Sequence, residues 1–120
     1  MASIHITLTT EHRGGISSTS FSGRPEGKHV REAFSLDEKD TDDNEYIIDI
    51  PSGTSAFNPS FFLGLLYPSI KKLGIGKFVS KYRFGLENLS PALKSLINDD
   101  IQEGLRNASN EMSLSTGLDF

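Results

Sequence analysis

The sequence predicts one small α/β domain, a sandwich in which at least part of the sheet is parallel. Three observations carry that prediction. An alternating run, SIHITLTT, lies at 3–10. A nearly continuous apolar run, YIIDI, sits at 46–50. Segments with helical apolar spacing lie between and after the strand segments, and this alternation is the mark of an α/β fold.

The first run puts Ile4, Ile6 and Leu8 on one face and His5, Thr7 and Thr9 on the other, the pattern of a half-buried strand. Arg13-Gly14-Gly15 reads as a turn, and ISSTSF at 16–21 as a weaker second strand. Ser22-Gly23-Arg24-Pro25 opens a helix, because small residues cap and a proline in the first turn forfeits no helical hydrogen bond. Val30, Ala33 and Phe34 recur at i, i+3 and i+4, and this helix is expected to end near Leu36. Residues 37–45, DEKDTDDNE, contain five Asp or Asn in nine and read as a solvated acidic loop. The run at 46–50 is apolar but for Asp49, which suits a central strand buried on both faces.

Asn58-Pro59 begins the next helix, with Asn as cap and Pro at the first position. Phe62, Leu65, Leu66, Ile70 and Leu73 form its stripe, and Gly74 ends it. Pro68 lacks the N–H that would reach the Gly64 carbonyl, so a kink or an early break is expected there. KFVSKYRF at 77–84 alternates and reads as a strand near a sheet edge. Ser90-Pro91 opens the last helix, striped by Leu93, Leu96, Ile97, Ile101 and Leu105. The sequence after Asn107 is polar and is expected to fray. The expected organisation is therefore one domain over 1–106 and a polar C-terminal tail over 107–120. No repeat or low-complexity tract is visible.

Twelve basic and 16 acidic residues give a net charge of −4. That balance argues against broad binding to nucleic acid or to anionic membranes. Cysteine is absent, which removes disulfides, thiolate nucleophiles and Cys-based metal sites. The longest apolar stretch is too short to span a bilayer, and the first residues lack a secretory pattern. The cytoplasm is the expected location, with no nucleic-acid or membrane partner.

The three histidines, His5, His12 and His29, fall in no metal-ligand spacing. The acidic run lacks the glycine and the bidentate glutamate of a calcium loop. No phosphate-binding glycine loop and no nucleophile elbow is present, so neither a metal nor a cofactor is expected. Two stretches remain. Gly23, Arg24, Gly27, Lys28 and Arg31 place small residues and cations at a helix N-terminus, which suits a phosphate or a carboxylate. That makes a small-ligand or nucleotide sensor the alternative functional reading. Thr54, Ser55, Asn58 and Ser60 place polar groups between a strand end and a helix tip. No histidine or acid lies close in sequence to activate these hydroxyls, so a catalytic serine is not expected.

The order of strand, hydroxyl-bearing loop, amphipathic helix, strand and Ser-Pro helix resembles that of STAS domains, the anti-sigma-factor antagonist modules of bacterial partner-switching circuits. YIIDI followed by NPSFFLGLL, and LSPALKSLI further on, carry the resemblance. The ITL-type first strand and GRPEGKHVREAF resemble more closely the variant STAS-like domains of unknown function. The likeness spans residues 3–106. It implies a small αβ sandwich with a mixed sheet and helices mainly on one face. It also implies a non-enzymatic module that binds a GHKL-type ATPase or kinase, which in the phosphorylated members modifies a serine at the helix tip. Ser55, Asn58, Ser60 and Phe61 occupy that tip here as the implied partner-binding residues. The ungapped correspondence puts the acceptor on Pro59, with Ser60 one step on, and Asn58 stands where the family has Asp. The Phe and Leu side chains of the 59–73 helix leave homodimerisation open as well.

Overall fold

The structure, a computed structural model, describes residues 3–13 and 18–117. Its elements follow a repeated order. A strand, β1 (Ser3–Thr7), leads through a single 3-10 turn, Thr10–Arg13, to a short strand, β2 (Ser20–Phe21). A helix, α1 (Arg24–Ala33), and a short helix, α2 (Leu36–Lys39), come next. The same series then recurs as β3 (Glu45–Asp49), β4 (Ala56–Phe57), α3 (Pro59–Leu73) and α4 (Ile75–Lys81). β5 (Tyr82–Gly85) and a long helix, α5 (Pro91–Gly117), complete the described residues.

Like parts pair with like. β1, β3 and β5 form a parallel sheet in that order, and β2 pairs with β4, again parallel. Ile6 stands beside Ile48, and Ile48 beside Phe84. One face of the sheet carries Ile6, Tyr46, Ile48 and Tyr82 into the core, where Phe57, Phe61, Phe62 and Leu66 of β4 and α3 are also fully buried. α1 lies against α3 at two glycines. A methyl group on Gly27 would overlap the Phe61 carbonyl oxygen, and one on Gly64 would overlap that of Arg24. Backbones this close are what glycine permits in a helix, against its ordinary helical cost.

The predicted α/β sandwich is therefore the observed one, and five local expectations are corrected. The strand read at 77–84 begins only at Tyr82, because 75–81 is helical. Phe78 and Tyr82 are four apart and stack at 5.3 Å, so the alternating pattern concealed a helical one. The run at 37–45 is not a plain solvated loop: Leu36–Lys39 is helical and Asp40 is 2% exposed. α3 passes Pro68 without breaking. Arg31 donates to the Leu65 carbonyl at 2.9 Å, next to the carbonyl that Pro68 leaves without its helical donor.

The fourth correction concerns the C-terminus, where α5 continues through the segment read as a fraying tail. Ala108 is fully buried, and Glu111 pairs with Arg24 at 2.8 Å. β3 is covered on one face rather than both: Tyr46 and Ile48 are buried, while Glu45, Ile47 and Asp49 are half-buried. Part of the predicted turn and second strand, residues 14–17, lies outside the described residues.

Candidate functional site

The candidate site is built where β2 and β4 end and the helices α1 and α3 begin. The two short strands hold the two helix tips side by side. Ser55 N–H donates to the Thr19 carbonyl at 2.8 Å, and Asn58 N–H to the Phe21 carbonyl at 2.9 Å. The Phe21 and Phe57 rings meet at 5.4 Å beneath them. Gly23 turns the chain into α1 with a φ of 93°, a conformation that side chains strain. Its N–H donates to the Ser60 hydroxyl at 3.1 Å, so one tip is tied to the other.

The loop leading to α3 is held from below by Arg13, 8% exposed. Its guanidinium donates to the Ser18 carbonyl at 2.7 Å, the Ser52 carbonyl at 3.2 Å and the Thr54 hydroxyl at 2.8 Å. Thr54 in turn donates to the Pro51 carbonyl at 2.8 Å. From the other side Asp100 of α5 accepts the Phe57 N–H at 2.9 Å. The strand-end loop is thus fixed from two directions, while Ser55 and Ser60 stay exposed.

The predicted tip residues divide into surface and core. Ser55 is on the surface and meets the Thr19 hydroxyl at 2.7 Å. Asn58 is half-buried and begins α3 through its backbone, its carbonyl accepting the Phe62 N–H at 3.0 Å; its side chain makes no cap bond. Phe61 is 0% exposed, packed on Phe21 and Phe57, so it is a core residue and not a partner contact. All of the apolar stripe of α3 but the half-buried Leu73 is buried with it, and Phe62, Leu65, Leu66 and Ile70 are withdrawn from any dimer surface.

The predicted anion site does not assemble. Gly23 gives its N–H to Ser60, and Gly27 is buried under α3. Arg24 forms a two-pronged pair with Glu111, at 2.8 and 3.2 Å, and lies over the Tyr67 ring. Arg31 is 4% exposed and belongs to the interior. It donates to Asp37 at 2.6 Å, to Asp40 at 2.7 Å and to the Ser69 hydroxyl at 2.7 Å. Lys28 remains exposed on a shallow cleft of about 330 Å³ beside Arg24, Arg31, Glu32 and Asp37. Of the positive charge read at this helix tip, that of Arg24 and Arg31 is already met by the protein's own carboxylates.

Sequence reasoning missed the polar centre around Asp40. Asp40 accepts from Arg31, from the Ser69 hydroxyl at 2.5 Å and from the Tyr82 hydroxyl at 2.7 Å. Burial, then the Asp40 carboxylate, push the Tyr82 hydroxyl far above its ordinary pKa. A buried charge demands such partners, but they come from three separate elements, α1, α3 and β5, and share no spacing. His5 was also unassigned. Its Nδ1 lies 2.6 Å from an Asp49 carboxylate oxygen at the end of β3, on the uncovered sheet face.

Chemically, the site offers hydroxyls and backbone edges on a rigid support. Among the described residues, the Ser60 hydroxyl bonds to the Gly23 N–H and is paired with no imidazole or carboxylate. No group of three or more metal-ligating side chains is assembled, and no helix is long and apolar enough to cross a membrane, among the described residues. No family model, curated protein or solved structure matches this chain.

Proposed function

We propose that the protein is a non-catalytic, STAS-like regulatory module that binds a protein partner, a GHKL-type ATPase or kinase, through the joined tips of α1 and α3. The observation that carries this reading is the exposed Ser60 hydroxyl, held against Gly23 where the two helices start together. The surface around it, with Ser22, Thr19 and Ser55, is exposed and polar and stands on a rigid base. A preorganised surface loses little conformational entropy on docking. A phosphate on Ser60 would add roughly −1.5 to −2 charges at that surface. It would stand next to Gly23, against which the Glu26 carboxylate already rests, so like charges would be forced together inside a covered interface.

The reading is tested by mixing the purified protein with ATP and a GHKL-type ATPase encoded in the same genome. Size-exclusion chromatography and intact-mass analysis follow. A complex that dissociates as one phosphate appears on Ser60 supports a phosphorylation switch. A complex with no added mass supports docking governed by the partner's nucleotide state. No complex with any such ATPase overturns the proposal.

A further inference from the structure

A second surface adjoins this tip and is built differently. The 3-10 turn Thr10–Arg13 and the outer face of α1 enclose a groove of about 530 Å³. Glu11 and His12 form one wall, and Pro25, Glu26, His29 and Ala33 the other. Val30, 3% exposed, closes the floor.

The groove is apolar below and acidic above. His12 lies on the Phe34 ring, with centroids 5.3 Å apart. Its Nδ1 accepts the Thr9 N–H at 2.9 Å, and burial lowers its pKa against the opposing pull of Glu11. The His12 ring therefore adds an apolar wall and little positive charge. Glu11 and Glu26 are exposed, and among the described residues neither makes an ion pair. Arg24 and Arg31 of α1 spend their charge elsewhere, on Glu111 and on Asp37 and Asp40. Lys28 lines the other cleft of α1.

An apolar trough with unneutralised carboxylates on both walls matches a long side chain with an aliphatic stem and a cationic head. We infer that this groove seats a lysine- or arginine-bearing segment of the partner protein. The inference rests on the docking role proposed for the α1 and α3 tips, and it supplies the chemistry of the partner. The two surfaces are continuous, since Glu26 rests against Gly23 and Gly23 bonds to Ser60. The stem lies along Pro25, Ala33 and His12, and the head reaches Glu11 and Glu26.

The probe is a capped tetra-arginine peptide, with capped tetra-glutamate as its counterpart, titrated into the isotope-labelled protein and followed by NMR. Saturable shifts are expected at residues 11–12 and 25–33 with tetra-arginine only. The double substitution E11Q/E26Q should weaken that binding about tenfold or more through loss of two charge contacts. Asp99→Asn, an exposed acid on α5, should leave it unchanged. Shifts spread over every acidic surface, or centred on 41–45, or insensitive to E11Q/E26Q, would overturn the inference, as would concentration-dependent self-association that fills the groove. Peptide binding needs no ATPase. A groove that binds tetra-arginine while no ATPase binds would refute the partner assignment alone. An ATPase complex indifferent to E11Q/E26Q would refute the groove alone.

Discussion

At the scale of single residues, the molecule depends most on Asp40. Its carboxylate accepts from Arg31 of α1, Ser69 of α3 and Tyr82 of β5. Asp40→Ala would leave two buried hydroxyls without their acceptor and would take from the Arg31 guanidinium its one fully buried carboxylate. A loss of about 3–5 kcal/mol is expected in urea unfolding, as for other broken buried pairs. Asp42, two residues on, predicts a pH dependence. Burial opposes its ionisation, but hydrogen bonds from Tyr46, Lys81 and the Asn44 N–H outweigh burial and hold its pKa at about 2. Because the folded value lies below the ordinary 3.8, the stabilisation is complete above that value and is lost as pH falls towards 2. Unfolding midpoints measured between these limits should fall with pH in the wild type and less steeply in Asp42→Asn. None of this was legible in DEKDTDDNE, where one composition suits a solvated loop and a buried network alike. Ser60 and Ser55 were legible as exposed polar residues because strand ends and helix tips have strong local signals. Phe61 was not, since one residue of offset on a helix turns a side chain from surface to core.

At the scale of elements, the helices follow their caps and glycines. Proline in the first turn marked α1, α3 and α5 in the sequence, and all three begin there. The α1–α3 contact was not legible, because a glycine inside a helix has no spacing that announces a neighbour. Gly27→Ala tests it: the new methyl would overlap the Phe61 carbonyl oxygen and approach Leu65 N at 2.8 Å. A loss on the order of 3 kcal/mol is expected from such overpacking. Gly53→Ala is the contrast. Gly53 has a φ of 77° with open space about its Cα, so only the backbone preference is at stake, about 1 kcal/mol. Equal losses in the two variants, read from denaturant midpoints, would contradict the close packing of α1 on α3. The misread strand at 77–81 has a related cause: Gly74, with a φ of 83°, ends α3 and α4 starts at once, leaving no loop signal between them.

At the scale of the whole molecule, two successive strand–strand–helix–helix units lie side by side, β1 with β3, β2 with β4 and α1 with α3. Little sequence likeness marks this repetition beyond a phenylalanine before each helix and a proline in its first turn. The two helix tips meet because of it, and the proposed docking surface follows from the meeting. α5 then straps the units together, through Asp100 to β4 and Glu111 to α1. Removing residues 107–120 should therefore cost roughly 1–3 kcal/mol through lost burial around Ala108 and Met112. A truncated protein as stable as the full chain would restore the tail reading.

The central claim is that the joined tips of α1 and α3 are the partner-binding surface. The direct measurement is calorimetric titration of a GHKL-type ATPase from the same genome with wild type, Ser60→Glu and Ser95→Glu, the last an exposed serine on α5 away from the tip. Ser60→Glu should weaken binding by about 1.4 kcal/mol or more, a factor of ten, while Ser95→Glu matches the wild type. Equal affinity for all three proteins would show that the partner docks elsewhere and would contradict the account.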